Sequence, residues 1–233
     1  MEEDLAKHFD CDVKRFTNLA TGQASFVDST VILEEFAFTA KTLKPEAKTL
    51  LDIGTGGGNQ TLNLLNVLPQ LECTAIDVSP KMLEAARERI GQVCKSVNVI
   101  EGDIRNISLQ SGKYDLVTAS AVLHHLRGTD EWLDVYAKIF DAMAPGGLFL
   151  ISDFICYDNS DIQKVQMERY KNFLYEKLGD AEAGRILKNI AETDTPRSME
   201  WQLDVMQKVG FANVTVLHKN MLFGAWYAVK PAL

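Results

Sequence analysis

Thr49-Leu-Leu-Asp-Ile-Gly-Thr-Gly-Gly-Gly58 decides how the rest of this chain is read. Leu50, Leu51 and Ile53 make the short apolar run of a strand covered on both faces, as in a parallel sheet. Asp52 interrupts that run, where a carboxylate is costly to bury unless hydrogen bonds reach it. Gly54, Gly56, Gly57 and Gly58 leave Thr55 as the one residue of the turn with a β-carbon. Such a turn can take positive φ and bring its backbone close to a ligand. A helix opens at Asn59 or Gln60, turns Leu62, Leu64, Leu65 and Leu68 inward, and ends before Pro69. Strand, glycine turn and helix in that order begin an α/β sheet that binds its ligand at the carboxyl edge.

Glycine spacing narrows the ligand. The dinucleotide fingerprint G-x-G-x-x-G would need its third glycine where Asn59 or Thr61 stands. No Gly-Lys-Ser/Thr follows, so the P-loop pattern fails as well. What remains is acidic-x-Gly-x-Gly-x-Gly, at Asp52, Gly54, Gly56 and Gly58, around Thr55. This resembles the first motif of the class I S-adenosylmethionine-dependent methyltransferases. The difference has a physical sense: pyrophosphate wants the amide donors of a helix N-terminus, whereas an aminoacyl sulfonium carries an ammonium that an acid can face. The competing reading is an ordinary tight turn between strand and helix.

Composition bounds the class. The 233 residues suffice for one α/β domain, and 46% hydrophobic with 24% charged residues is normal for a globular chain. A net charge of −8 argues against nucleic acid as the main partner, since phosphate binding needs a basic footprint. Cys11, Cys73, Cys94 and Cys156 are far apart with no C-x-x-C, which suits a reducing cytoplasm. The acidic start Met-Glu-Glu-Asp-Leu lacks the parts of a signal peptide, and no run is long enough to span a membrane. No residue is assigned to a metal.

Two more acids fall at the ends of the next two strands. Cys73-Thr-Ala-Ile-Asp77 is the second strand, followed by Val78, a Ser79 cap and Pro80 at the first helical position. Asp77 can accept two hydrogen bonds from a ribose diol. Val97 to Gly102 is the third strand, followed by Asp103-Ile104. The resemblance gives Asp103 the adenine amino group and the Ile104 backbone the ring edge; the other reading of Asp103 is a turn cap. Lys113 to Thr118 is the fourth strand and runs into Ala119-Ser-Ala-Val-Leu-His-His-Leu126. By the same resemblance Ala119 and Ser120 line the passage of the cofactor's ribose and methionine arm, with Val78 beside Asp77. The paired histidines have a structural reading as well as a catalytic one, and His124 is the one expected to border the site. An amphipathic helix from Asp130 to Met143, the turn Ala144-Pro-Gly-Gly147 and a fifth strand to Asp153 follow.

Both flanks read as coverings. Residues 1–43 give a helical lid, with Leu5, Phe9, Val13 and Phe16 at helical spacing, a break at Thr21-Gly22, and a second helix carrying Phe26, Val27, Val31, Ile32 and Phe36. Arg15 in this lid is a candidate for the cofactor carboxylate. Residues 155–194 are too long for a simple connection and read as a helical cap insertion that shapes the acceptor pocket or an oligomer surface, which allows a homodimer. Tyr157, Tyr170, Phe173 and Arg185 are its candidate pocket residues. Thr195-Pro196 starts the last helix, and Val214–Leu217 with Ala225–Val229 form a closing hairpin.

The expectation is thus one domain over residues 1–233: an α/β, Rossmann-like, seven-stranded, mostly parallel sheet with an antiparallel last strand and helices on both faces. The resemblance implies S-adenosyl-L-methionine as cofactor, S-adenosyl-L-homocysteine as product, and in-line methyl transfer to a small-molecule acceptor. His124, Asp153 and Tyr157 are the candidates for proton transfer, needed only if the acceptor arrives protonated. The carboxyl-terminal half is loosely similar to carboxy-S-adenosylmethionine synthase, a family that modifies the cofactor for tRNA wobble-uridine chemistry; Arg185 and Arg197 are the cations such a reading would call on. A nicotinamide oxidoreductase is disfavoured by the glycine spacing and Asp103. A silent scaffold on the same fold is the reading from another class.

Overall fold

In the computed structural model, which describes residues 9–10, 13–18 and 24–232, the apolar run around Leu50 becomes the centre of a sheet. Its strands are β1 (Thr49–Ile53), β2 (Glu72–Asp77), β3 (Val97–Glu101), β4 (Tyr114–Ser120), β5 (Met143–Phe154), β6 (Ala212–Asn220) and β7 (Phe223–Val229). Their spatial order is β3-β2-β1-β4-β5-β7-β6. The pairs from β3 through β5 are parallel, and β7 runs antiparallel to both β5 and β6. The order reverses between β1 and β4, and an open sheet of this kind binds ligands above such a switch point. The expected seven-stranded fold and its antiparallel last strand are what the chain forms.

Strand alternation divides the core into two faces. Leu51, Ile53, Val117, Phe149 and Ile151 point to one, packed under α5 (Thr129–Ala142) and α8 (Met199–Val209). Leu50, Leu116, Leu148 and Leu150 point to the other, under α2 (Ser29–Leu43), α3 (Asn59–Val67) and α4 (Pro80–Gly91). A short α1 (Val13–Phe16) precedes these. The cap holds α6 (Ser160–Leu178) and α7 (Asp180–Thr193), whose Tyr170, Leu174, Ala183 and Ile186 pack with Val27, Phe154 and Phe223.

Three expectations change in detail. Most of the first lid helix, including Leu5 and the Thr21-Gly22 break, lies outside the described residues. The second lid helix belongs to the covering layer of the sheet: Ile32, Phe36 and Ala40 of α2 are buried against it, and only the first turns (Ser29, Ile32, Leu33) border the crevice. Val31 is 51% exposed, and Phe26 and Val27, read as part of this helix, precede it. The last helix starts at Met199, because Ser198 is its cap, Oγ accepting from the Trp201 amide at 3.3 Å. Thr195 is instead tied to the loop after β4.

Phe36 is fully buried between α2 and the sheet. If α2 is structural, Phe36→Ala should cost about 3–5 kcal/mol in urea unfolding; a loss within about 1 kcal/mol would mean that α2 is a detachable cover.

Candidate functional site

A crevice runs along the carboxyl edge of β1, β2, β3 and β4 and continues under the cap, enclosing a cavity of about 280 Å³. At its centre, Gly54, Gly56 and Gly58 have φ of 66°, 50° and 80°. A β-carbon on Gly56 would meet nothing within 4 Å, so it would project into open crevice, whereas one on Gly54 would strike Val122 at 2.6 Å. Phe16 covers Gly57 from the N-terminal side: its carbonyl accepts from Asn59 Nδ2 at 2.9 Å and leaves no room for a β-carbon on Gly57. Arg89 donates to Gly57 and Asn59, which fixes the turn from below.

The three strand-end acids have distinct environments. Asp52 is 1% exposed; Oδ1 accepts from Thr118, and Oδ2 from Thr55 and Thr61. Burial pushes its carboxyl up, opposed by those hydroxyls. Asp77 accepts from the Gly56 amide at 2.8 Å and the Ser79 amide at 2.9 Å, so it locks the glycine turn to the β2–α4 turn. Burial raises it to about 6, against those amides. Asp103, with burial outweighed by Arg105, sits below the usual carboxylate range. Arg105 holds it through Nε (2.9 Å) and Nη2 (2.5 Å), and Lys138 braces the loop by donating to the carbonyls of Ile104 and Arg105.

At the far side the chain leaves β4 through Ser120 and Ala121. Ala121 has φ of 55°, a left-handed conformation rare outside glycine, held by its amide bond to the Ser152 carbonyl. The following turn delivers His124 and His125 to the crevice wall. His124 Nδ1 is 2.5 Å from Asp153 Oδ1, and its Nε2 is 3.6 Å from Asp194 Oδ2. Burial would depress the His124 imidazole, but Asp153 and then Asp194 raise it. Asp194 is itself raised by burial, against His124. Phe26, Phe154, Tyr170 and Phe223 form an aromatic wall that begins beside His124, with ring centroids 4.3 Å apart for Phe26–Phe223, 5.4 Å for Phe154–Phe223 and 6.1 Å for His124–Phe154.

Of the residues singled out from sequence, Asp52, Gly54, Thr55, Gly56, Asp77, Val78, Asp103, Ile104, Ser120, His124 and Arg15 line this crevice. Arg15 donates to Ser25 Oγ at 2.7 Å and lies 3.7 Å from Glu182. Gly58 and Ala119 lie behind the wall: Gly58 opens α3, and Ala119 is buried in β4 among core side chains. Asp153 is fully buried and reaches the crevice through His124 alone. Tyr157 is the clear correction. Its hydroxyl donates to the Met221 carbonyl at 2.9 Å and Lys219 covers its ring, so it faces away from the crevice. Tyr170 lines the crevice; Phe173 and Arg185 do not, the latter paired with Glu182. Gln60, Arg105 and Asp194 escaped the sequence reading as site residues, and His125, set there behind His124, lines the crevice as well. Only Arg105, two residues after Asp103, had a local signal.

The crevice fits a nucleoside bearing an amino-acid arm. Gln60 is 4% exposed and lines it, yet neither polar atom of its side-chain amide has a hydrogen-bond partner among the described residues. A buried amide left so costs free energy that a bound ammonium or carboxylate would recover. Asp77 points to the same ligand, because an ionised carboxylate accepts from both hydroxyls of a diol. That form is lost as pH falls through about 6. S-adenosylhomocysteine affinity by calorimetry should therefore be level above about pH 7 and roughly ten-fold weaker near pH 5. Asp77→Ala should weaken it about ten-fold or more at neutral pH and flatten that dependence; unchanged affinity would remove Asp77 from the ribose site.

Residues 51–149, which span β1 to β5, match the family model of the methyltransferase domain. Carboxy-S-adenosyl-L-methionine synthase of Dichelobacter nodosus is 27% identical over 202 residues, covering 85% of this chain and 82% of that protein. Among solved structures, an O-methyltransferase family protein from Burkholderia thailandensis superposes with a TM-score of 0.66 at 18% identity, over 96% of this chain and 60% of that one. Human N-acetylserotonin methyltransferase in complex with S-adenosylmethionine gives 0.60 at 17% identity, over 88% of this chain and 52% of that one. The chain thus spans little more than half the length of these two structures, and the likeness to them is one of fold. The glycine turn and the strand-end acids all lie at one sheet edge inside residues 51–149, the stretch that is similar to the methyltransferase domain.

Proposed function

We propose that this protein transfers the cofactor's methyl group to a small-molecule acceptor seated under the cap, against His124. The observation that carries the reading is continuity: one crevice joins the three acids to a chamber with an aromatic wall and a histidine–carboxylate wall. In this reading Asp77 holds the ribose, Asp103 and Ile104 the adenine, and Gly54, Thr55, Gly56, Ser120, Gln60 and Arg15 surround the methionine arm. Asp52 acts one layer back, by holding the turn in shape. When bound, S-adenosylmethionine supplies a methyl group already activated by its sulfonium. The chain's own task is to orient the acceptor and keep water out.

Asp153 fixes the His124 ring: its carboxylate accepts from Nδ1 and leaves Nε2 facing the chamber. His124 is then the group through which the acceptor's nucleophilic atom is activated, and Asp153 is its positioning residue. The aromatic wall favours a flat or apolar acceptor, and the Asp194 side favours one that brings a donor, such as a hydroxyl, over one that brings a carboxylate. The protein works on small molecules in a reducing compartment, in keeping with the free thiols of Cys73, Cys94 and Cys156.

The second reading, synthesis of carboxylated cofactor, is favoured by the relatives' identity over most of their length. It is disfavoured by the cations: Arg197 is on the outside, donating to Thr129, and Arg185 is paired with Glu182. Mass spectrometry of the ligand retained on purification separates the two, since a carboxylated cofactor would overturn methyl transfer. Incubation with S-adenosylmethionine and a panel of phenols, catechols and aromatic amines should yield S-adenosylhomocysteine and a methylated product. His124→Gln should lower kcat about 10²–10⁴-fold with S-adenosylhomocysteine affinity unchanged; full activity in that variant would take His124 out of the mechanism.

A further inference from the structure

We propose that His124 Nε2, His125 Nδ1 and the Asp194 carboxylate form a site for one divalent transition-metal cation of the zinc class, open on the side of the acceptor chamber. Their ligand atoms all lie within 4.8 Å of one another. Asp194 Oδ2 is 3.6 Å from His124 Nε2, and Asp194 Oδ1 is 3.4 Å from His125 Nδ1. Both separations are too long for a good hydrogen bond. The two ring nitrogens lie against different oxygens of the one carboxylate, so an ion with ligands at about 2.0–2.1 Å would draw the three side chains closer together.

The Asp194 carboxylate lies against one ring nitrogen of each histidine, and the other nitrogen of His124 is held by Asp153. Asp153 also supplies what metal-ligating histidines ordinarily have, a carboxylate on the other ring nitrogen that fixes tautomer and orientation. The ligand segments are held in place before any ion arrives. The Thr195 amide donates to the His124 carbonyl at 2.8 Å, Thr195 Oγ1 to the Leu126 carbonyl at 2.6 Å, and Thr193 Oγ1 to Asp194 Oδ1 at 2.7 Å. Two imidazoles and one carboxylate suit zinc, cobalt or iron(II) better than magnesium or calcium. All three residues line the crevice, and an acceptor oxygen that reached a bound ion from that side would be made more acidic. The role rests on the acceptor-site reading above; the binding does not.

Titration of metal-free full-length protein with Zn²⁺, with Co²⁺ as a spectroscopic probe and Mg²⁺ as the control, tests the site without turnover. We expect one equivalent of Zn²⁺, Co²⁺ visible bands of the intensity seen at low coordination number, and no Mg²⁺ binding. His125→Ala and Asp194→Ala should each weaken Zn²⁺ about ten-fold or more, and Asp153→Asn about ten-fold, with S-adenosylhomocysteine binding retained as proof of folding. Absence of saturable Zn²⁺ and Co²⁺ binding, or binding untouched by both ligand variants, overturns the site. His124 would then act as a bare imidazole, and methyl transfer would still stand or fall on its own product assay.

Discussion

A carboxylate buried at the end of β1 ties the crevice together. Asp52 receives hydroxyls from Thr55 in the glycine turn, Thr61 in α3 and Thr118 in β4. Those are the four elements that must meet at the switch point: the central strand, the turn, the helix it opens and the strand across the reversal. An unpaired charge there would be prohibitive. With its three hydroxyl partners it becomes a clamp whose loss would leave buried polar groups without partners in three elements. Asp77 repeats the device one strand further out, tying the Gly56 amide to the start of α4. The positive-φ glycines therefore have their shape imposed by two acids, and the opening between those acids is where the ligand edge lies.

Much of this was legible because it is local. Asp52, Gly54, Gly56, Asp77 and Asp103 each sit at a fixed offset from a short apolar run, and strand alternation sets which side they face. A mostly parallel sheet with an antiparallel last strand was expected from the same runs, whereas the order β3-β2-β1-β4-β5-β7-β6 is not written in them. The hydroxyls that hold Asp52 were not legible. An acid near an expected ammonium reads as its partner, whereas the three threonines that occupy it lie as far as 66 residues away in sequence. Arg105 was missed for a related reason: an arginine two residues after an acid reads as solvated until the loop folds its guanidinium back on Asp103.

The cap and the acceptor side were legible only as helices. Tyr157 looked like a pocket residue because it follows β5, yet the chain turns it toward Met221 and Lys219. Asp194 ends α7 in a sequence that resembles any helix C-terminus, and it meets His124 and His125 from 70 residues away only because Thr195 is stitched to the loop after β4. No periodicity encodes that meeting. The position of the last helix has the same origin. Thr195 and Pro196 look like a helix start, but Thr195 is spent on holding the histidine loop, so the cap passes to Ser198.

These two halves of the crevice differ in how their charge is balanced. On the cofactor side each acid is met by donors of the chain itself: hydroxyls for Asp52, amides for Asp77, a guanidinium for Asp103. On the acceptor side Asp153 and Asp194 converge on one imidazole, and Asp153 Oδ2 has no hydrogen-bond partner among the described residues. Thr193 Oγ1 donates to Asp194 Oδ1 and the Phe154 amide to Asp153 Oδ1, and two carboxylates still face one imidazole. A low-dielectric pocket strengthens such an imbalance, so whatever settles against His124 is selected first for bringing positive charge or a proton, and only then for its shape. The aromatic wall adds the second filter, since it offers mainly apolar area. The cofactor side is built around acids read from the sequence, whereas the His124 side is assembled from three distant segments.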